Sequence, residues 1–240
     1  MPMKIIISGY GKMGKEIEKI ATERNHSIVA IIDTEKDWKN FIKNPLSADV
    51  VIDFSTPSTA VGNIKRCFAL NLRIVTGTTG WNDQLKAIKT LCLSNNQAMF
   101  YASNFSIGVN IFFEVNKKLA QLMKSQEQYE VFLEETHHLQ KIDSPSGTAI
   151  TLANEIIKNI DRKKDWINTK EKNDSSVEIK SIRAENITGI HTIFYESSVD
   201  TIEIKHIAKN RIGFAVGAVL AAEWIQGKKG FFEMKDLLNF

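Results

Sequence analysis

The 240-residue chain has only two cysteines, Cys67 and Cys92. They form no C-x-x-C pair and have no histidines at zinc-finger spacing, which argues against a disulfide framework and a structural zinc site; a reducing compartment is the expectation. No block of five or six like charges occurs, and 31 basic against 28 acidic side chains leave +3, so nothing calls for nucleic acid or a membrane surface. No apolar run approaches the ~18 residues of a membrane span. The apolar start of "MPMKIIISGYG" breaks at Gly9, short of a signal-peptide core, and a cytosolic protein is expected. Internal repeats are absent. The one low-complexity patch, "RKKDWINTKEKNDSS" (162–176), reads as a solvated loop.

What is present is core-forming sequence. At 43% hydrophobic, the chain has room for one large domain or two modest ones. "KIIIS" (4–8), "SIVAIID" (27–33), "DVVIDFS" (49–55), "LRIVTG" (72–77) and "AMFYAS" (98–103) are short Val/Ile-rich runs, most of them separated by amphipathic stretches. Continuous apolar strands alternating with helices predict a doubly wound, Rossmann-type α/β domain whose parallel sheet is covered on both faces. From about Tyr129 the pattern changes. "YEVFLEETH", "SSVEIKSIRAE", "GIHTIFYESS" and "DTIEIKHIA" alternate with period two, the mark of an open sheet with one buried face, and predict a second domain of α+β type. After Arg211, "IGFAVGAVLAAEWIQG" returns to helical spacing and stops at Gly227, a plausible C-cap.

Gly9, Gly11 and Gly14 form a G-x-G-x-x-G between the first strand and the first helix. Such a turn lets backbone approach a pyrophosphate and aims helix N–H groups at it. Asp33 ends the second strand 19 residues beyond Gly14, where an acid meets a ribose 2′-hydroxyl. Dinucleotide binding is therefore expected. The acid favours NAD, whereas Lys12 inside the loop either offsets the charge of a 2′-phosphate or is simply solvated. "VTGTTGW" (75–81) follows the fourth strand on the carboxyl edge of the sheet and suits the nicotinamide half, a plain turn being the alternative.

The stretch "EETHHLQKIDSPSGTA" (134–149) concentrates donors. Metal ligation is disfavoured because the adjacent His137 and His138 point to opposite faces of a strand. Ser146, Gly147 and Thr148 open a helix and offer N–H groups and hydroxyls to a phosphate or a carboxylate. Lys141 is placed to reach a second carboxylate, and a histidine of near-neutral pKa is a natural proton donor.

This stretch, with "GYGKMGKEI", "VVIDFSTPS", "VTGTTGW", "ASNFSIGVN" and "RIGFAVGAVLAAEWI" in the same order along the chain, resembles the dihydrodipicolinate reductase family, whose members act in the diaminopimelate route to lysine. The resemblance implies nicotinamide-dependent reduction of a cyclic, unsaturated dicarboxylate. It assigns His137 as the acid and Lys141 as its partner in polarising the ring, with His138, Ser146, Gly147 and Thr148 holding carboxylates. On the cofactor side it places Gly9, Gly11, Lys12, Met13 and Gly14 at the pyrophosphate, Asp33 at the ribose, Gly77, Thr78 and Thr79 at the nicotinamide, and Ala102, Asn104 and Phe105 where the two domains join. It further implies a homotetramer built through the second sheet.

Two departures bear on the cofactor: many relatives have one more residue in the glycine loop and a longer segment after the second strand, where "DTEKDWKNF" here runs almost directly to the third. Lys12 also stands for the family's arginine and lacks its bidentate fork. Use of both NADH and NADPH, with NADH at least equal, is the expectation. Residues 1–105 and 212–240 are expected to bind dinucleotide, and 106–211 to bind substrate, with a hinge between them. A non-catalytic dinucleotide sensor on the same fold would have no use for His137, His138 and Lys141. An aspartate or diaminopimelate dehydrogenase would share the N-terminal half but lack "THH" followed by "SPSGTA".

Overall fold

The computed structural model describes residues 1–169 and 173–240, which fall into two compact units, 1–107 with 212–240, and 108–211. The first break lies two residues beyond the expected one, at the start of a helix.

In chain order the first unit contains β1 (Lys4–Ser8), α1 (Lys12–Glu23), β2 (Ser27–Ile32), α2 (Glu35–Lys43), β3 (Val50–Asp53), α3 (Pro57–Ala69), β4 (Arg73–Thr76), α4 (Asn82–Ser94) and β5 (Ala98–Tyr101). The second contains α5 (Ile107–Met123, its first residue in the first unit), β6 (Glu130–His137), α6 (Gly147–Asn159), β7 (Asp165–Ile167), β8 (Ser176–Arg183), β9 (Gly189–Glu196) and β10 (Thr201–Ala208). The chain then returns to the first unit with α7 (Ile212–Trp224), β11 (Gly230–Phe232) and α8 (Met234–Leu238).

The first sheet has the order β11-β5-β4-β3-β1-β2, with every pairing parallel. Strand alternation sorts its core into two layers. Ile5 and Ile7 pack with Ile17 and Ile20 of α1 and with the alanines of α7, while Ile6 packs with Trp38, Ile64, Cys67 and Ile88 on the opposite face. Helix α7 is apolar until Glu223 in its last turn and is largely buried, Ala215, Ala218, Val219, Ala221 and Ala222 being inaccessible. The direction of winding reverses between β1 and β3, and a sheet of this kind opens its ligand crevice at such a reversal.

The second sheet is mixed, in the order β10-β9-β6-β8-β7, with β6–β9 and β9–β10 antiparallel and β6–β8 and β7–β8 parallel. One face buries Val131, Leu133, Ile179 and Ile193 against Phe112 of α5 and Leu152 and Ile156 of α6. The other face carries Phe132 stacked on Phe194 with centroids 4.8 Å apart.

Three expectations are corrected. "DTEKDWKNF" holds α2, nucleated by a capping box in which Thr34 and Asp37 bond each other's backbone N–H, and anchored by Trp38 and Phe41. The patch read as a solvated loop over 162–176 contains β7 and a buried Lys163, whose ammonium is satisfied by Glu130 and the carbonyls of Asp174 and Ser176; its residues 170–172 lie outside the described residues. Helix α7 ends at Trp224, so Gly227 (φ +73°) shapes the following turn and is not the cap. Among the described residues no helix is long and apolar enough to cross a membrane.

Candidate active site

The glycine turn sits at the carboxyl end of β1. Gly9 has φ +86°, and a Cβ there would lie 2.4 Å from the Phe54 carbonyl oxygen, while a Cβ on Gly14 would meet the Gly9 carbonyl oxygen at 2.3 Å. Only glycine fits this approach. Gly11, the N-cap of α1, faces open space, so its surroundings leave room for a pyrophosphate against the first turn of the helix. Asp33 braces the turn by accepting a 2.7 Å hydrogen bond from the Tyr10 N–H, and it is exposed. Lys12 is exposed, whereas Met13 is half-buried and packs into the core.

Behind the turn, the inaccessible carboxylate of Asp53 ties three strand ends together. It accepts from Ser8 Oγ (2.8 Å), Thr76 Oγ1 (3.0 Å), Thr78 Oγ1 (2.9 Å) and Asn63 Nδ2 (3.0 Å). The Thr78 hydroxyl also accepts from the Ser55 N–H, so its side chain is committed to the scaffold. A Cβ on Gly77 would strike the Phe54 ring, and Thr79 is exposed on the same loop. Ala102 and Phe105 are buried, Phe105 against Phe54 and Phe100, and Asn104 accepts from the Ser106 N–H. Met13, Thr78, Ala102 and Phe105 thus serve packing through their side chains, leaving backbone as what they offer a cofactor.

The second cluster is set by strand register. Glu135 of β6 lies opposite His191 of β9 and Ser181 of β8, and His137 lies opposite Arg183 of β8. Alternation places Glu135 and His137 on one face, two residues apart. Glu135 is 1% exposed; its carboxylate accepts from the Ser146 N–H (3.0 and 3.2 Å) and from Ser181 Oγ (2.7 Å). His191 Nε2 is 3.1 Å from Ser146 Oγ and 3.6 Å from Glu135 Oε2, and His137 Nδ1 is 3.5 Å from Glu135 Oε2. The two imidazoles meet edge to face, with centroids 5.0 Å apart. His137 fits because Gly189 faces it, a Cβ there lying 3.2 Å from Nε2. Buried Nδ1 of His137 has no hydrogen-bond partner among the described residues.

Burial, and then the neighbouring His191, push the His137 pKa from 6.5 down to about 4, which corrects the expectation of a near-neutral histidine. For Glu135, burial alone would raise the pKa, but His191, Ser146 and Ser181 outweigh it and hold the carboxyl at about 2. The site at neutral pH is therefore a carboxylate between two imidazoles, with His137 uncharged.

The remaining expected residues are distributed around this core. His138 is half-buried at the end of β6. Lys141 Nζ is held by Asp143 at 2.7 and 2.8 Å, and Arg183 pins the same loop through the carbonyls of Lys141 and Asp143. Ser146 caps α6 by accepting from the Ala149 N–H, and its own N–H is taken by Glu135. Gly147 and Thr148, the first residues of α6, carry N–H groups that have no intrahelical acceptor and face an open side at Gly147.

Glu135, Ser181, Arg183 and His191 did not figure in the sequence reading. The pair Glu135 and His137 was legible as i, i+2 on one strand; the others come from strands whose register no local signal specifies. Glu135, His137 and His191 bring one ligand atom each to within 4.8 Å of one another. Glu135 is already engaged by hydrogen bonds from Ser146 and Ser181, and the two imidazoles flank it at 3.5 and 3.6 Å as a histidine–carboxylate cluster.

A parallel sheet with a glycine turn at its reversal point, joined in one chain to a sheet bearing such a cluster, defines a dinucleotide-dependent oxidoreductase. The chain belongs to the dihydrodipicolinate reductase family: residues 3–105 match that enzyme's N-terminus and residues 108–238 its C-terminus. It is 49% identical to the 4-hydroxy-tetrahydrodipicolinate reductase of Christiangramia forsetii, with 99% of this chain and 98% of that protein covered. With the 4-hydroxy-tetrahydrodipicolinate reductase of Buchnera aphidicola subsp. Cinara cedri it shares 36% identity, over 98% of this chain and 97% of that one. Among solved structures, dipicolinate-bound dihydrodipicolinate reductase from Paenisporosarcina sp. TG-14 superposes with a TM-score of 0.74 at 25% identity, covering 97% of this chain and 98% of that one.

Proposed function

We propose that the chain reduces 4-hydroxy-tetrahydrodipicolinate to tetrahydrodipicolinate with NAD(P)H, the step that serves diaminopimelate and lysine synthesis. The observation that carries this reading is the His137–Glu135–His191 cluster beside the N-terminus of α6, within a chain whose other unit is built around a glycine turn.

When bound, the nicotinamide supplies a hydride. The chain's own part is to receive the pyrophosphate at Gly9, Gly11, Lys12 and Gly14, the ribose at Asp33 and the nicotinamide end at Gly77, Thr78 and Thr79, with Met13, Ala102, Asn104 and Phe105 shaping those backbones. On the substrate side, Gly147 and Thr148 offer N–H groups to one carboxylate, with Ser146 and His138 beside them. Lys141 exchanges Asp143 for a second carboxylate. A dianionic substrate favours the charged form of a nearby imidazole, so it recruits a proton to His137, which then delivers it as hydride arrives; the 4-hydroxyl leaves as water, so one hydride and one proton are consumed for each water released. Glu135, 3.5 Å from Nδ1, favours the charged imidazole through its own negative charge. Both cofactors serve, NADH at least as well as NADPH, because Asp33 accepts from a free 2′-hydroxyl and repels a 2′-phosphate.

The protein works in the cytoplasm as a homotetramer. The support for assembly is the outer face of the second sheet, with its Phe132–Phe194 stack, the exposed Ile182 and Ile207, and the open edge of β10. The deciding experiment follows the loss of NADH and NADPH absorbance on adding freshly prepared 4-hydroxy-tetrahydrodipicolinate. Substrate-dependent oxidation is expected; none with either cofactor would overturn the assignment.

A further inference from the structure

Beside Asp33 the carboxyl edge of the first sheet encloses a cavity of about 90 Å³, lined among others by Gly9, Asp33, Glu35, Trp38, Asn63 and Arg66. Its place at the reversal between β1 and β3 makes it the receptacle for the adenosine half of a dinucleotide, a step that rests on the function proposed above. Arg66 is the one cation among the described residues that line it; Lys12 does not line it.

The Arg66 side chain is held on three sides. Nη2 donates to both carboxylate oxygens of Glu35 (2.8 and 2.7 Å), the guanidinium lies 5.6 Å from the centroid of the Trp38 ring, and Nη1 reaches Asn63 Oδ1 at 3.4 Å. Glu35 and Trp38 belong to α2, and Arg66 to α3. The pocket wall thus carries a guanidinium whose charge is cancelled by a carboxylate, next to the carboxylate of Asp33, which accepts from the Tyr10 N–H and has no ion pair among the described residues.

We propose that Glu35 is a specificity-determining residue: by occupying Arg66 it withholds the pocket's guanidinium from a 2′-phosphate and keeps the site open to NADH. A guanidinium is the side chain best matched to a phosphate, through paired N–H donors. Beside the charge of Asp33, the discrimination therefore depends on what Arg66 is bonded to, and not on the absence of a cation. Glu35 is well exposed, and an exposed ion pair of this kind is weak enough for one substitution to redirect it.

The test is cofactor binding without substrate, read from nicotinamide fluorescence during titration with NADH and NADPH. The proteins are wild type, Glu35→Gln and Glu35→Gln/Arg66→Ala. Glu35→Gln is expected to shift the ratio of dissociation constants at least fivefold toward NADPH. The shift should disappear in the double variant and shrink as KCl is raised, since it is a charge contact. An unchanged ratio in Glu35→Gln, or a shift that persists without Arg66, overturns the proposal while leaving the dinucleotide site intact. Wild type that binds neither cofactor overturns the dinucleotide reading itself, and this proposal with it.

Discussion

Glu135 and His191 face each other across the β6–β9 ladder with Oε2 and Nε2 3.6 Å apart, and Ser146 bonds both, donating its N–H to the carboxylate and placing Oγ 3.1 Å from the imidazole. This arrangement couples the integrity of the site to one buried carboxylate. Glu135→Ala leaves the Ser146 N–H and the Ser181 hydroxyl without their acceptor and removes the carboxylate beside His191, and is expected to destabilise the second unit by about 3 kcal/mol or more. Glu135→Gln keeps one acceptor oxygen and should cost roughly half as much. Urea unfolding of the three proteins decides this; equal stability of wild type and Glu135→Ala would show that the carboxylate is not the anchor.

Removing His137 tests proton delivery. His137→Gln is expected to lower kcat by ~10²-fold, the contribution of a positioned general acid, with the dissociation constants for NADH and NADPH little changed. Because its pKa is about 4 without ligand, His137 can serve as the acid only if it gains a proton on binding. Calorimetric titration with pyridine-2,6-dicarboxylate in buffers of different ionisation enthalpy should therefore show proton uptake near pH 6.5, absent in His137→Gln. A titration without uptake would rule out His137 as the acid.

Acid stability follows from the same two groups. His137 is depressed from 6.5 to about 4, so between those values the unfolded chain binds more protons and stability falls as pH falls; at about 1.4 kcal/mol per unit the loss is about 3 kcal/mol. Glu135, depressed from 4.5 to about 2, extends the loss over that lower window. Above pH 6.5 neither contributes a slope. Urea midpoints at pH 7.5, 5.5 and 4.5 should fall in wild type and fall less in His137→Gln; parallel curves would contradict the depressed histidine.

Lys141 is bound to Asp143, a carboxylate that substrate would displace in the function proposed above. Lys141→Ala should raise KM and lower kcat together, since the lysine is assigned contacts in both ground and transition states. Asp143→Asn should lower KM two- to fivefold by releasing the ammonium. Steady-state kinetics separates the cases: normal values for Lys141→Ala would make it a surface lysine.

Asp33 accepts from the Tyr10 N–H and, in the function proposed above, also reads the ribose; substitution can divide the two. Asp33→Asn keeps an oxygen for the Tyr10 N–H but removes the charge that repels a 2′-phosphate. It is expected to weaken NADH by a few-fold and to improve NADPH by about tenfold, the scale of one charge-assisted hydrogen bond. Asp33→Ala, which also frees the turn, should harm both cofactors relative to Asp33→Asn. If Asp33→Asn leaves the ratio of the two KM values unmoved, the ribose lies elsewhere.

The sequence by itself determined what short-range chemistry specifies. Val/Ile runs and period-two alternation located nine of the strands, Gly9, Gly11 and Gly14 marked the turn, and "THH" with "SPSGTA" marked the end of β6 and the start of α6, where the donors gather, since these depend on residues close along the chain. Only the tertiary structure decided which strands lie side by side. Ser181 and Arg183 reach Glu135 and His137 through the parallel β6–β8 register, His191 reaches Glu135 through the antiparallel β6–β9 register, and Arg66 meets Glu35 across 31 residues. The pKa of His137 belongs to the same class: an imidazole's charge is set by the burial and the neighbours that folding supplies, and those are fixed by long-range packing, not by the side chain's own neighbours in sequence.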